Sequence, residues 1–354
     1  MKKAKKSHKK LFLTILFILI NIAVIAITAL NEFGNNENAT KLTDVEINFW
    51  YLLPALGAFV IAISFEIYKY VLMMKQTCKL KKRDEIHKAW RDARNTVLIG
   101  RYYDNITPAA IGGQPFQIYY MNKNSCAKGG LATTIPIVGM ISGQIGFLII
   151  AVICFLAGSY SMNNAPLIAA ACFGLLFYAF WPIAVIIATF LPRATTEIIT
   201  AGVKLLAKIH IIKNREQAIE KAQKGVRDYA TCLKMILKTR NLFFKTIILS
   251  VLFHLLICSI PFFVVTAFGG QIDFLPCFVT TVAVTSAVYF VPTPGNAGAA
   301  EGTFYLVFSA LSSGYTFWAM LTWRFFSYYI YIILGGITYL IMYLEKKLPA
   351  KNAK

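Results

Sequence analysis

The sequence lacks the short motifs by which soluble catalytic domains are recognised. It contains no G-x-S-x-G nucleophile elbow, no Walker A loop and no G-x-G-x-x-G dinucleotide fingerprint. The longest stretch without an apolar block has about fifty residues, which is shorter than most catalytic domains. We therefore do not expect ATP hydrolysis or catalysis on a soluble substrate.

Cysteine and histidine are few and scattered. The seven cysteines include no C-x-x-C pair, and they form no cluster with the four histidines. Zinc sites and disulfide frameworks both require characteristic cysteine spacings, so neither is expected here. The sequence predicts no metal site and no cofactor.

Apolar residues make up 57% of the chain and are concentrated in long blocks. Residues 11–30 form a run without any charged side chain, and roughly 20 apolar residues are needed to cross the hydrocarbon of a bilayer. Further blocks occur at residues 49–74, 131–156, 166–191, 242–268 and 317–344. The sequence therefore predicts an all-α integral membrane protein with six full transmembrane helices.

Basic residues outnumber acidic residues by 36 to 16, and nearly all of them lie on one side of the predicted spans. They are found in residues 2–10, 75–101, 123–128, 193–245 and 346–354, whereas the opposite side carries Lys41 alone. This is the positive-inside bias, which places both termini and the basic loops in the cytoplasm. We expect a multi-pass protein of the cell membrane that contacts anionic phospholipid and does not bind nucleic acid.

The predicted organisation is a single polytopic membrane domain over residues 11–345. Basic cytoplasmic tails flank it at residues 1–10 and 346–354. Basic cytoplasmic segments are expected at residues 75–94 and 193–240. The charge spacing of the second segment indicates a pair of amphipathic helices at the membrane surface.

Glycine and proline interrupt two further apolar segments, residues 96–121 and 275–311. Neither segment can be one continuous helix, because proline removes a backbone donor and glycine frees the backbone. The residues expected to form the bends are Pro108, Gly112, Gly113, Pro115, Pro292, Pro294, Gly295 and Gly298. Irregular backbone survives at membrane depth only when it is buried in protein or lines a wet cavity.

We interpret the two broken segments as re-entrant hairpins. The first begins and ends among cytoplasmic basic residues, and the second begins and ends on the outer side, so the hairpins would enter from opposite faces. Paired broken segments of this kind indicate a transport site. Two short crossings in place of each hairpin would satisfy the same pattern and give eight to ten spans.

Charged and amide side chains at membrane depth, within the spans or beside the two breaks, are the candidate substrate-binding residues, because ionisable groups there are costly and usually functional. The candidates are Glu66, Arg101, Asp104, Asn105, Gln114, Gln117, Glu301 and Arg324. The two guanidinium groups would hold a phosphate, and the carboxylates would hold an amine or balance the arginines. The alternative is that Glu301–Arg324 and Glu66–Arg101 are structural ion pairs, or that Glu66 pairs with Lys69.

The motifs at the two breaks resemble the signatures of a known family. Asn105-Ile-Thr-Pro108 leads into Gly112-Gly113-Gln114-Pro115, and Pro292-Thr-Pro-Gly295 leads through Gly298 to Glu301. Together they resemble the lysylphosphatidylglycerol synthase transmembrane-region family, the flippase-like domain of the multiple peptide resistance factor. The resemblance implies movement of a phospholipid with a modified headgroup, such as aminoacylated phosphatidylglycerol, to the outer leaflet. It also implies roles in lipid metabolism and antibiotic resistance.

A lipid flippase or transporter is therefore the leading hypothesis, in which the hairpins form a polar groove around the headgroup. One alternative is a membrane-embedded phosphatidylglycerol lysyltransferase-type enzyme or a subunit of a split lipid-modifying synthase. Another is a scaffold that anchors a partner through residues 193–240. In the full-length factor a separate domain makes the lipid. No segment of this chain corresponds to it, so the expected partners are phospholipid, a cytoplasmic lipid-modifying enzyme and a second copy of the chain.

Overall fold

The computed structural model describes residues 47–110, 112–158, 165–208, 215–309 and 315–347. Within these residues the chain is helical and has no strand. The α-helices are α1 (Phe49–Thr77), α2 (Arg83–Ile106), α3 (Gly113–Asn124), α4 (Gly130–Gly158), α5 (Ala165–Phe190), α6 (Pro192–Lys208), α7 (Arg215–Lys238), α8 (Arg240–Ala267), α9 (Phe274–Val288), α10 (Ala299–Phe308), α11 (Thr316–Arg324) and α12 (Ile330–Lys347).

Five helical stretches in the described residues are long and apolar enough to cross a membrane. They are Phe49–Thr77, Gly130–Leu156, Ala165–Phe190, Arg240–Ala267 and Thr316–Glu345. They coincide with five of the six predicted spans, and the remaining predicted span, residues 11–30, lies outside the described residues. The protein is an all-α integral membrane protein, as predicted.

Small residues bring the central helices together. Ala55, Ala58 and Ala62 recur at helical spacing along α1 and are buried in the cluster that α1 shares with α8. On the other side of α8, a methyl group at Gly146 of α4 would lie 2.9 Å from the backbone of Ser250. Close backbone approach of this kind is how helices associate in lipid, where the hydrophobic effect does not drive them together.

Large apolar side chains cover the outward face of the bundle. On α5 the side chains of Phe173, Leu176, Phe180 and Ile183 are all more than half exposed. A soluble protein would bury such side chains, whereas in a bilayer they contact lipid tails. The exposed apolar surface therefore fits the membrane location that the sequence predicts.

Both predicted broken segments are broken in the structure. A 3-10 turn at Pro108–Ala110 separates α2 from α3, and a second turn at Pro294–Asn296 lies between α9 and α10. The two turns contact each other. Helices α3, α9 and α10 have 12, 15 and 10 residues, whereas a crossing needs roughly 20.

Several helix boundaries differ from the predicted segments. Helix α2 runs without interruption from Arg83 to Ile106, so residues 83–94 of the predicted charged segment share one helix with the first arm of the broken segment 96–121, whereas residues 75–77 belong to α1. Residues buried between Ala89 and Gly100 pack this helix against its neighbours across the two predicted segments. Residues 193–240 contain the two helices α6 and α7, which pack against each other.

The last predicted span contains a short π-helical segment. Phe325–Tyr329 joins α11 to α12 directly after Arg324, and such insertions frequently occur at functional sites. Helix α12 continues to Lys347, so the first two residues of the predicted tail 346–354 are helical. The rest of that tail and the predicted tail 1–10 lie outside the described residues.

Candidate functional site

The first break, between α2 and α3, closes through side-chain hydrogen bonds to its own backbone. Pro108 begins the turn and cannot donate a backbone N–H. The hydroxyl of Thr107 donates to the carbonyl of Tyr103 at 2.6 Å and accepts from the N–H of Gly112 at 2.9 Å. These bonds replace part of the helical hydrogen bonding that is lost at the break, which backbone away from water requires.

Two predicted binding residues, Asp104 and Asn105, stabilise this break. Oδ1 of Asp104 accepts the N–H of Gly113 at 3.0 Å, and a methyl group at Gly113 would collide with the same carboxylate. The side-chain amide of Asn105 donates to the carbonyl of Arg101 at 2.8 Å. Oδ2 of Asp104 has no hydrogen-bond partner among the described residues, so one oxygen of this carboxylate is available to a ligand.

The two predicted glutamines lie on α3 in different surroundings. Gln117 is buried, and its Oε1 accepts the hydroxyl of Tyr70 at 3.3 Å. Its side chain also packs so closely on Gly100 that any larger residue there would collide with it. Gln114 is half-buried in the first turn of α3, next to the exposed Pro115. Gln117 therefore joins α3 to α1 and α2, whereas Gln114 lies nearer the surface.

The second break depends on left-handed backbone. In the turn Pro294–Asn296, Gly295 has a φ of 59° and Asn296 has a φ of 55°, and Gly298 follows with a φ of 90°. Glycine adopts these angles without the steric cost that a side chain brings. Pro292, just before the turn, is exposed. The chain can therefore reverse within a few residues and begin α10 at Ala299.

A buried ion pair holds the second break to α11. Nε of Arg324 lies 2.6 Å from Oε1 of Glu301, and both residues are almost fully buried. Oε2 of Glu301 accepts the N–H of Gly298 at 2.7 Å, and Nη2 of Arg324 donates to the carbonyl of Gly295 at 3.1 Å. The ring of Tyr328 lies 4.7 Å from the guanidinium carbon. Protein groups therefore compensate both charges and leave little room for a ligand.

A second charge cluster centres on α1. Nζ of the fully buried Lys69 lies 2.8 Å from Oε2 of Glu66. The same ammonium donates to the carbonyl of Gly139 and to the hydroxyl of Ser250, both at 3.1 Å. Lys69 is thus satisfied by three acceptors on three helices. Arg101 completes the cluster, with Nη2 4.0 Å from Oε1 of Glu66.

Arg101 differs from the other deep cations in having free hydrogen-bond donors. Its side chain is 33% exposed, and its guanidinium carbon lies 5.0 Å from the ring centre of Phe253 and 5.8 Å from that of Tyr331. Among the described residues, the only carboxylate paired with it is Glu66, and no hydrogen bond from its guanidinium is present. A planar fork of donors is therefore open to an anion that enters this region.

The eight predicted binding residues thus form two groups at the contacting breaks. Glu66, Arg101, Asp104, Asn105, Gln114 and Gln117 lie around the first break, and Glu301 and Arg324 lie at the second. Sequence analysis considered Lys69 only as a partner for Glu66. A lysine within an apolar block could have been recognised as a member of the charge cluster. The contacts of Phe253 and Tyr331 with Arg101 could not be predicted from the sequence, because these residues approach Arg101 from other helices.

Comparison with known proteins identifies the family. The sequence profile described as "Lysylphosphatidylglycerol synthase TM region" matches residues 11–335. The chain belongs to the lysylphosphatidylglycerol synthase TM region family. The resemblance inferred from the two broken motifs is confirmed, and every candidate residue lies within the part that matches this family.

This member of the lysylphosphatidylglycerol synthase TM region family is also similar to an archaeal protein. It is 24% identical over 307 residues to a UPF0104 membrane protein of Methanothermobacter thermautotrophicus. The similarity covers 82% of this chain and 84% of the relative, so it extends over most of both chains. No solved structure matches.

Proposed function

We propose that this protein is a flippase or transporter that moves a phospholipid with a modified, aminoacylated headgroup between the leaflets of the cell membrane. The observation that carries the proposal is the open guanidinium of Arg101. It lies beside the two contacting breaks, one third exposed and without a hydrogen-bond acceptor in the described residues. The phosphate of a lipid headgroup supplies the acceptors that this group lacks.

The roles of the three buried or partly buried basic residues follow from their contacts with protein groups. Arg324 already contacts Glu301 and the carbonyl of Gly295, so we assign it to holding the second break rather than to binding lipid. Lys69 has three protein acceptors and fixes Glu66 in place. Arg101 is left to bind the phosphate.

The amine of an aminoacylated headgroup would approach Asp104. This residue lies one turn beyond Arg101 on α2, with Oδ1 occupied by the N–H of Gly113 and Oδ2 free among the described residues. A cation and an available carboxylate oxygen on the same face of α2 match a headgroup that carries a phosphate and an ammonium. The family name and this pairing together support a modified lipid as substrate.

We further propose that the two broken segments are re-entrant. Their short arms α3, α9 and α10 are below the length of a crossing, and their bends are closed by protein hydrogen bonds. The headgroup would move along the polar contact between the two bends while its tails stay in hydrocarbon.

A vesicle assay tests the proposal. Purified protein is reconstituted with lysyl-phosphatidylglycerol, and a membrane-impermeant amine reagent labels only lipid that reaches the outer leaflet. Without transport, labelling stops once the outer pool is consumed. Arg101→Gln should slow labelling of the inner pool by at least tenfold, about the effect of losing one charged hydrogen-bonded contact.

Arg83→Gln is the matched control, because it removes an exposed arginine from the same helix outside the site. It should leave the rate unchanged. Equal rates for the wild type and Arg101→Gln, with both proteins folded, would remove Arg101 from the site. Formation of lysyl-phosphatidylglycerol from phosphatidylglycerol and aminoacyl-tRNA in the same vesicles would instead support the lysyltransferase alternative.

A further inference from the structure

A separate cavity opens between α1 and the charged first half of α2. Its volume is about 680 Å³. Ser64 and Ile67 of α1 form one wall, and Lys88, Trp90 and Arg91 of α2 form part of the other. None of the candidate residues at the two breaks lines it.

Three cations line this cavity together with His87 and a single carboxylate, that of Asp84, so its charge is positive. Lys88, Arg91 and Arg94 recur every three residues along α2, so one face of the helix carries all three cations. Among the described residues, Arg91 and Arg94 have polar partners only on their own helix, Asp92 at 3.9 Å and Asn95 at 3.2 Å. Within this part of the chain both guanidinium groups therefore have free donors.

The aromatic residues at the cavity indicate that it lies at the level of lipid headgroups. Trp90 stacks on Tyr68 of α1 with ring centres 5.9 Å apart, and each residue is 42% exposed. Exposed Trp and Tyr side chains concentrate at the level of lipid headgroups. One to two turns away along α1, Val60 and Ile61 are about half exposed and apolar, as lipid-facing residues are. The cavity thus lies where apolar surface meets basic surface.

We propose that this cavity binds the phosphate-bearing headgroup of an anionic phospholipid from the cytoplasmic leaflet. Lys88 and Arg91 contact the phosphate, Trp90 packs against the glycerol region, and the acyl chains follow the exposed face of α1. Basic pockets between membrane helices on the cytoplasmic side bind anionic headgroups in this way. The inference does not depend on transport and would hold for an enzyme or a scaffold as well.

Charge complementarity argues for a lipid over the chain's own first apolar block. Residues 11–30 contain no charged side chain, so they could cover apolar surface but could not compensate the cations that exceed the one carboxylate of Asp84. An anionic lipid supplies both an apolar tail and a negative headgroup. It is the occupant whose chemistry matches both halves of the cavity.

Tryptophan quenching by brominated lipid tests the proposal. The full chain is reconstituted in bilayers that contain dibrominated phosphatidylglycerol or dibrominated phosphatidylcholine in a background of unlabelled phosphatidylcholine. The contribution of Trp90 is the difference between the wild type and Trp90→Phe, because the other four tryptophans are common to both. We expect phosphatidylglycerol to quench this component at a much lower mole fraction than phosphatidylcholine.

Two charge variants sharpen the test. Lys88→Gln/Arg91→Gln should weaken the phosphatidylglycerol effect about thirtyfold, which corresponds to the usual attraction of two basic residues for an anionic surface. The control variant Lys75→Gln/Lys81→Gln also removes two exposed cations. They lie close to the connection between α1 and α2 but do not line the cavity. This control should keep the selectivity of the wild type, and thermal unfolding establishes that both variants are folded.

Three results would overturn the proposal. Equal quenching by the two lipids would mean that the cavity does not select an anionic headgroup. Full displacement of phosphatidylglycerol by soluble glycerol phosphate would mean that the ligand is a soluble anion. Absence of quenching by either lipid would mean that another part of the chain covers the cavity.

Discussion

Nε of Arg324 lies 2.6 Å from Oε1 of Glu301, and both side chains are almost completely buried. The other oxygen of Glu301 accepts the N–H of Gly298, and the guanidinium also donates to the carbonyl of Gly295. The pair therefore holds the second break in its bent form. Arg101, by contrast, lies 4.0 Å from Glu66, and its guanidinium makes no hydrogen bond among the described residues.

We expect Glu301→Gln and Arg324→Met to destabilise the protein. Each leaves a buried charge without its partner, which typically costs about 3–5 kcal/mol. Thermal unfolding in detergent measures the loss. The double variant Glu301→Gln/Arg324→Met should lose less stability than the two single changes added together. Single variants that unfold like the wild type but no longer transport lipid would show instead that this pair binds the headgroup.

Lys69→Met should destabilise the protein because it leaves the Glu66 carboxylate without its 2.8 Å partner. The expected loss is again about 3–5 kcal/mol. Adding Glu66→Gln removes the stranded charge and should restore much of the stability. If the double variant is as unstable as Lys69→Met alone, the hydrogen bonds of Lys69 to Gly139 and Ser250 matter more than its ion pair.

Gly113→Ala should disrupt the first break, since the added methyl group would collide with the Asp104 carboxylate. We expect a lower unfolding temperature and a lower yield of folded protein, at a cost of about 1–3 kcal/mol. Gly57→Ala is the control, because a methyl group at Gly57 in α1 would meet no atom within 4 Å. Its stability should equal or exceed that of the wild type, since alanine favours a helix.

Cys78 should react with alkylating reagents at an unusually low pH. It follows the end of α1, and a hydrogen bond from the thiol of Cys126 lowers the pKa of Cys78 to about 7. The reactive thiolate is therefore populated above pH 7. The initial rate of maleimide labelling at Cys78, followed by mass spectrometry, should rise through pH 7.

Cys126→Ala removes that hydrogen bond and should move the rise in Cys78 labelling to higher pH. The positive-inside bias predicts that this region faces the cytoplasm, so an impermeant maleimide should label Cys78 in inside-out vesicles and not in intact cells. Labelling from outside would reverse the predicted orientation. A rise that stays at the same pH in Cys126→Ala would show that Cys126 does not activate Cys78.

The sequence by itself determined the membrane class, the five long apolar helices of the described residues and the location of both breaks. Span length follows from bilayer thickness, so runs such as residues 131–156 and 242–268 could be read directly and agree with helices α4 and α8. Two prolines with neighbouring glycines mark each break, and the helices end there. The single prolines Pro54, Pro136, Pro182 and Pro261 lie inside helices, so the combination of residues, and not proline alone, indicated the breaks.

Only the tertiary structure decided which charged side chains have protein partners close enough to compensate their charge. The sequence suggested the same role, binding a phosphate, for Arg101 at the start of the first broken segment and for Arg324 inside the last span. In the fold, Arg324 meets a carboxylate and a carbonyl that the second break brings to it, whereas Arg101 meets the rings of Phe253 and Tyr331 from two other helices. Charge compensation depends on partners that are distant in the chain, so no pattern of spacing could reveal it.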